Sequence, residues 1–366
     1  VRKYEAAKMK KKNFITNLFS GSMRGRTTSF LIVLVAYAIL EIMMGTGNLT
    51  RLFTSLLVPI CAYIVAAIGL NMNVGFSGEL NLGQAGFMAV GGFTAAIISG
   101  MLQTSVPNEI LRLIIAIVCG GIMSAIFGLL ISIPVLKLQG DYLAIVTLAF
   151  GQILMSVVTN LYVGVDAAGL HFSFVNNNIT LGDGGMMLIS GPMGATGIDK
   201  ISTFTAGVIL IVIALLVCYH LIYSKEGRAI QACRDNRIAA ETVGINVSRT
   251  KTLAFVVSAT LAGAAGALYV LNYTSVVATK FDFNTSILIL VYVVLGGLGN
   301  MTGTIIATTL LFALPEVLRF LSTYRMLIYA IVLILMMLIT NNEQLKTMME
   351  KLKNKMKKNK NKEVTE

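Results

Sequence analysis

Residues 74–87 read VGFSGELNLGQAGF. Four glycines (Gly75, Gly78, Gly83, Gly86) alternate here with Ser77, Glu79, Asn81 and Gln84, and apolar runs flank the stretch on both sides. A plain turn accounts for Gly75 and Gly78. It leaves unexplained why Gly83, Gln84, Gly86, Gly91 and Gly92 continue inside the next apolar run.

The surrounding composition decides which explanation applies. The 366 residues are 56% hydrophobic and 13% charged, with a mean hydropathy of +0.79, whereas soluble domains carry about 25% charged residues. Apolar runs recur at 30–47, 52–70, 82–101, 111–135, 142–163, 203–223, 251–272, 284–299, 301–320 and 325–340. About 20 apolar residues span the hydrocarbon core, and helix is the expected spanning element because lipid satisfies no backbone polar group. The fold class is therefore all-α, a polytopic integral membrane protein with about ten transmembrane helices. The eighth and ninth runs are divided only by Gly296, Gly297, Gly299 and Asn300, so 284–320 is either two spans or one long broken or re-entrant element. The first run follows a basic arm and precedes no cleavage-site pattern, so it reads as a span rather than a signal peptide. The chain lacks an initiator Met, so its numbering is not tied to a natural N-terminus.

Charge sets the orientation. Eight Lys/Arg fall within residues 1–30, and eight Lys lie in 341–366, leaving thirteen of the 29 basic residues for the rest. Basic ends joined to apolar spans mark cytoplasmic termini beside anionic lipid rather than nucleic acid. The expected organisation is a basic arm over 1–29, a transmembrane body over 30–340 and a Lys-rich tail over 341–366. The loop around 224–250 is basic, through Lys225, Arg228, Arg234, Arg237 and Arg249, whereas 164–202 has only Lys200 against Asp166, Asp183 and Asp199. The first loop is expected in the cytoplasm and the second outside. With both termini inside, the number of crossings is even, and ten satisfies this.

In a membrane chain, small residues are favoured where helices meet, and polar side chains at depth face a cavity or another helix. Non-helical backbone is tolerated only where it is buried or lines a watery path. The opening stretch is thus read as a bent or broken element beside a translocation path, with Gly75, Ser77, Gly78, Asn81, Gln84 and Gly86 as candidate lining residues. A second polar interruption, LQGDYLAIVTLAFGQI at 138–153, adds Thr147 and Gln152. Gly140 and Asp141 suit the start of that helix, Asp141 complementing the positive dipole end. For Thr147 and Gln152 the alternative is simple packing.

The segment 224–251, SKEGRAIQACRDNRIAAETVGINVSRTK, is the most polar internal stretch. Residues 225–234 suit a short helix, Asp235 or Asn236 a second N-cap, and Gly244 a left-handed C-cap. Ala239 and Ala240 keep one face small enough for a partner groove; the alternative is a solvated loop near lipid. No phosphate-binding G-x-x-x-x-G-K-[ST] loop occurs. No catalytic constellation, cofactor site or metal site is legible: the four cysteines lack ligand spacing and His171 and His220 lie far apart. Among ionisable residues in the spans, Glu41 and Glu316 are the candidates for ion coupling, few for a self-sufficient secondary transporter or channel.

Four stretches together resemble a known family: GLNMNVGFSGELNLGQAGFMAVGGFTAA (69–96), LKLQGDYLAIVTLAFGQI (136–153), the segment 224–268, and VVLGGLGNMTGTIIATTLLFALPEVLR (293–319). They resemble the permease subunits of ATP-binding-cassette importers for branched-chain amino acids, specifically the longer of the two paired permeases. The resemblance implies the importer permease fold in a bacterial plasma membrane. It also implies a path shared with a homologous second permease, two separate ATPase subunits and an extracytoplasmic substrate-binding protein; relatives carry urea or other amino acids. It makes 224–250 the ATPase-coupling segment, through Gly227, Arg228, Arg234, Ala239, Ala240 and Gly244. The wider importer pattern Glu-Ala-Ala-x-x-x-Gly is matched at Ala239, Ala240 and Gly244, with Ile238 in place of Glu. The stretch GPMGATGID (191–199) ends in Asp199 where the family's usually ends in Pro.

Overall fold

The computed structural model describes residues 21–47, 50–103, 106–136, 138, 140–166, 169–174, 185–318 and a few positions between 327 and 334. Residues 1–20 of the basic arm, the Lys-rich tail and most of the tenth apolar run lie outside them.

Seven described helices are long and apolar enough to cross a membrane. They are α1 (Gly21–Gly45), α2 (Arg51–Asn71), α3 (Gln84–Met101), α4 (Glu109–Val135), α5 (Asp141–Thr159), α6 (Phe204–Tyr223) and α9 (Val247–Val270). Two short helices, α7 (Lys225–Asp235) and α8 (Arg237–Thr242), sit between α6 and α9. Two shorter apolar helices follow, α10 (Phe283–Gly296) and α11 (Met301–Val317). Polar residues start them as capping chemistry requires: Asn108, Thr203, Ser224, Asn236, Asn246 and Asp282 each accept a backbone N–H of the following first turn. Gly140 occupies the cap of α5 at φ 60°, with Asp141 in the first turn.

The chain bends between α10 and α11 at Gly297 and Gly299, whose φ values are 94° and 78°. Gly296 there lies against Gly303 and Thr304, so 284–320 is broken at a glycine turn into two helices, each shorter than the seven of membrane-spanning length. A separate unit begins at Leu310; its described part opens with the end of α11, which contains Pro315.

The core of the first unit is built from α3, α4 and α9, and small residues set their spacing. A Cβ on Gly91 would fall on Gly263, one on Gly92 would lie 2.8 Å from the Gly266 carbonyl, and one on Gly128 would lie 2.6 Å from the Ala259 Cβ. Small residues let backbones meet where lipid provides no hydrophobic drive between helices. Ser124 donates to the Phe87 carbonyl at 2.8 Å across the same seam. By contrast α1 is mostly exposed, held through Ser29, which bonds Tyr219 at 2.8 Å and Thr302 at 2.5 Å.

The segment read as an external loop carries ordered structure. Strands β1 (Tyr162–Asp166), β2 (Gly169–Ser173), β3 (Met186–Ser190), β4 (Ala195–Thr196) and β5 (Ser275–Val276) form an antiparallel sheet in the order β2-β1-β3-β4-β5. The body is helical as expected, but α5 ends at Thr159 and the last residues of the fifth run enter β1. Strands this short are marginal in water; here they gain a core, with Val163, Ile189 and Ala195 fully buried and Leu188 against Gly100 of α3. Below the sheet Arg112 of α4 donates to Asp199 at 2.9 Å, with side-chain exposures of 6% and 43%. Asp199, in place of the family's proline, thus partners a buried guanidinium. Asp199→Ala is expected to lower stability by ~1–3 kcal/mol, the range for losing a hydrogen bond to a charged group, because Arg112 stays buried. A thermal melt of the purified protein in detergent measures this; an unchanged midpoint refutes it.

Candidate functional site

At the end of the bundle away from the sheet, the two sequence-derived constellations meet. Helix α2 does not stop cleanly. Its last turn widens into a π turn, Met72–Phe76, in which the Ser77 N–H donates to the Met72 carbonyl at 3.3 Å. The chain then runs without regular structure to Gly83 and resumes as α3. This is the broken element expected from the glycines. π turns are rare and concentrate at functional sites.

The break is held by a buried polar network. The Gln84 side chain donates to the Ala66 carbonyl at 3.1 Å and accepts from Asn81 and from Ser258, each at 3.3 Å. Asn81 accepts the Gly83 N–H at 2.9 Å, and Thr147 accepts the Leu82 N–H at 3.1 Å. A Cβ on Gly86 would lie 2.7 Å from the Gly151 Cα, and one on Gly83 would strike the Thr147 carbonyl. Asn81, Gln84, Gly86 and Thr147 are therefore placed as buried fasteners between α2, α3, α5 and α9. Gly78 is exposed. Gln152 is half-buried, on the side of α5 that also bears exposed Ala149 and Ser156. Gly75 and Ser77 are buried within the break.

Gly75 is enclosed by Asn71 and Gly299, where a Cβ has no room. The Asn71 side chain accepts the Gly299 N–H and donates to Thr304, both at 2.9 Å, tying the π turn to the α10–α11 turn. Among the described residues, both polar atoms of Asn73 and the hydroxyl of Ser77 are buried without a hydrogen-bond partner.

The segment 224–251 forms the expected helix–turn–helix. Ser224 caps α7 through the Gly227 N–H at 3.1 Å, and a Cβ on Gly227 would strike the Leu221 and Ile222 carbonyls, so glycine permits the tight α6–α7 corner. Gly244, at φ 89°, ends α8. The Gly244 N–H donates to the Glu241 carbonyl and the Ile245 N–H to the Ala240 carbonyl, each at 3.0 Å, the Schellman pattern. Arg228 is exposed, at 3.5 Å from the Tyr223 carbonyl.

The two alanines separate. Ala239 is exposed, whereas Ala240 is buried with Cys233 and Val247 in a small core that the hairpin shares with the start of α9. Burial pushes the Cys233 thiol above its ordinary value and keeps it a neutral packing group. The apolar side chains left outside are Ile238 and Val243, 75% and 82% exposed. Sequence reading noted Ile238 only as the residue in place of Glu, and passed over Val243. Their signal, an isoleucine and a valine in an otherwise polar insert, becomes legible only when the hairpin's inward face is known.

Arg234 points back into the body. Its guanidinium donates to the Gly75 carbonyl at 2.9 Å, and its alkyl chain lies over Gly78. Beside it Lys251, on the first turn of α9, forms an ion pair with Glu79, at side-chain exposures of 13% and 11%. A shallow polar pocket opens there, lined by Gly78, Glu79, Leu80, Gly140, Arg237 and Lys251.

A family model described as the branched-chain amino acid transport system permease component matches residues 52–340. The chain belongs to this permease family. It is 33% identical over 305 residues to the high-affinity branched-chain amino acid transport system permease LivM of Salmonella typhimurium, covering 75% of this chain and 66% of that one. Against LivM of Escherichia coli the identity is 32% over 338 residues, covering 84% and 72%. The probable branched-chain amino acid transport permease LivH of Methanocaldococcus jannaschii is 29% identical over 252 residues, covering 66% and 72%. As a permease of this ATP-binding-cassette family the chain is a multi-pass membrane transport subunit, working with a further permease, ATPases and a substrate-binding protein, and ATP hydrolysis lies on separate chains.

Proposed function

We propose that this chain, with a homologous second permease, forms the path through which an ATP-driven importer carries branched-chain amino acids across a bacterial plasma membrane. The observation that carries the reading is the helical hairpin at 224–246, with Ile238, Ala239 and Val243 exposed, within a chain 33% identical to LivM over 305 residues. An apolar tip on a polar hairpin is what a groove on an ATPase subunit takes up. The basic residues of this hairpin support a cytoplasmic position for it, shared with both termini, with the sheet outside and facing the binding protein. Along the path, the face of α5 bearing Gln152 and Ser156 is only partly covered by its own chain, and polar side chains at that depth turn to a partner or to water.

Expression with the second permease, the ATPase subunits and the binding protein tests this, in vesicles loaded with ATP. Binding-protein-dependent uptake of leucine, isoleucine or valine is the expected result; uptake without ATPases or binding protein overturns it. Orientation is tested separately. A single cysteine at exposed position 238, in a background lacking the four native cysteines, is expected to resist impermeant maleimide in intact cells and react in inverted vesicles. The reverse pattern refutes the orientation.

A further inference from the structure

We infer that Arg234 and the Glu79–Lys251 ion pair are the linkage through which the hairpin moves the broken span, with the π turn at 72–76 as the moving part. This rests on the proposed coupling role of the hairpin and adds the residues that transmit it.

Three contacts converge on the π turn from three different elements. Arg234 of α7 holds the Gly75 carbonyl at 2.9 Å. Lys251 of α9 holds Glu79, just past the turn. Asn71, one residue before the turn, holds the Gly299 N–H at 2.9 Å. The turn is thus fastened to the hairpin, to the helix behind it and to the α10–α11 bend. Gly75 has no space for a side chain and Gly78 lies under the Arg234 stem, so the hairpin bears directly on backbone. A displacement of α7 therefore reaches the break through a hydrogen bond and a steric contact on one side chain.

Two buried polar side chains also lie in the break. Asn73 and Ser77 are 0% and 1% exposed, and their side-chain polar atoms are unbonded. Leaving such groups unpaired opposes this arrangement, and a buried polar group favours any state that supplies a partner. Contacts from Arg234, Lys251 and Gly299 hold the turn against that tendency. When a partner draws the hairpin away, the turn is released from these three contacts. Coupling of this kind needs an element with two arrangements that the distant site biases.

The test uses the reconstituted complex of both permeases, ATPases and binding protein. Arg234→Met keeps the alkyl stem over Gly78 but removes the donor to Gly75; Arg234→Lys keeps a donor. Uptake is expected to fall at least tenfold in the methionine variant, and the ratio of substrate-stimulated to basal ATP hydrolysis to fall towards one, while the ATPase subunits still co-purify. The lysine variant is expected to retain most of both. Glu79→Lys and Lys251→Glu alone are expected to lose uptake, and the double exchange to recover at least half, which a misfolded protein does not do. Normal uptake and stimulation in Arg234→Met overturn the inference. Loss of the ATPase subunits in that variant overturns it too, because Arg234 is then a docking residue. If the unaltered complex binds no ATPase subunits, the coupling reading fails and the linkage with it.

Discussion

Gly86→Leu is expected to abolish accumulation of folded permease. A Cβ at Gly86 would lie 2.7 Å from the Cα and 2.8 Å from the carbonyl oxygen of Gly151 on α5. The obstacle is backbone, which cannot rotate away as a side chain does. Overpacking a well-filled core costs ~1–3 kcal/mol when neighbouring side chains can adjust; two helix backbones forced apart exceed that range. The displacement would also pull Leu82 from Thr147 and disturb the Gln84 network, which leaves buried polar groups unpaired. The measurement is monodisperse yield in detergent by size exclusion, with loss of at least tenfold. Gly45→Leu is the control: nothing lies within 4 Å of a Cβ there, so its yield should match the unaltered chain. Equal yields for both variants would show that α3 and α5 do not pack backbone to backbone.

The second large effect is expected at the hairpin tip. Ile238→Asp and Val243→Asp alter side chains that are 75% and 82% exposed, so the isolated permease should melt as before. If the tip seats in an ATPase groove, each substitution places a carboxylate in an apolar contact where truncations of central residues alone cost ~2 kcal/mol or more. Co-purification of ATPase subunits should drop by ten-fold or more, and uptake with it, while binding of substrate-loaded binding protein persists. Retained ATPase subunits in both variants would move the docking surface elsewhere. Ala240→Arg is unsuited to this test. Ala240 is 4% exposed and packs on Cys233 and Val247, so an arginine there disrupts the hairpin before any partner is met. Gly244→Val likewise strains the Schellman cap at φ 89° without touching a neighbour.

Much of the architecture was legible because membrane spans obey simple rules. Run length and hydropathy located all nine apolar helices of the described region, since a helix in lipid must be long, apolar and self-satisfied. Capping chemistry is equally local: Asn236 and Gly244 bound α8 in the structure as their side chain and its absence require. The glycines of the opening stretch announced a break, and the π turn with its irregular exit supplies it. The sheet was hidden because its strands are two to five residues long and owe their stability to packing on helices distant in sequence.

The site divides along the same line. That residues 69–96 and 224–251 depart from plain spans was visible in their composition alone, because glycine and polar residues are costly in an apolar chain unless backbone approach or a partner requires them. Which way each side chain faces was not. Asn81, Gln84 and Thr147 read as path residues but are placed as fasteners; Ala239 and Ala240 read as one small face but lie on opposite sides of the hairpin surface. Arg234 reaches a carbonyl 159 positions away in sequence, and Lys251 pairs across 172. No local pattern encodes such pairings, because they are set by how α2, α7 and α9 converge. The sequence by itself determined where this chain crosses the membrane, where it breaks and where it is capped, since those depend on a residue and its near neighbours. The tertiary structure alone decided which polar groups bond to one another, because that depends on distances between helices that only packing fixes.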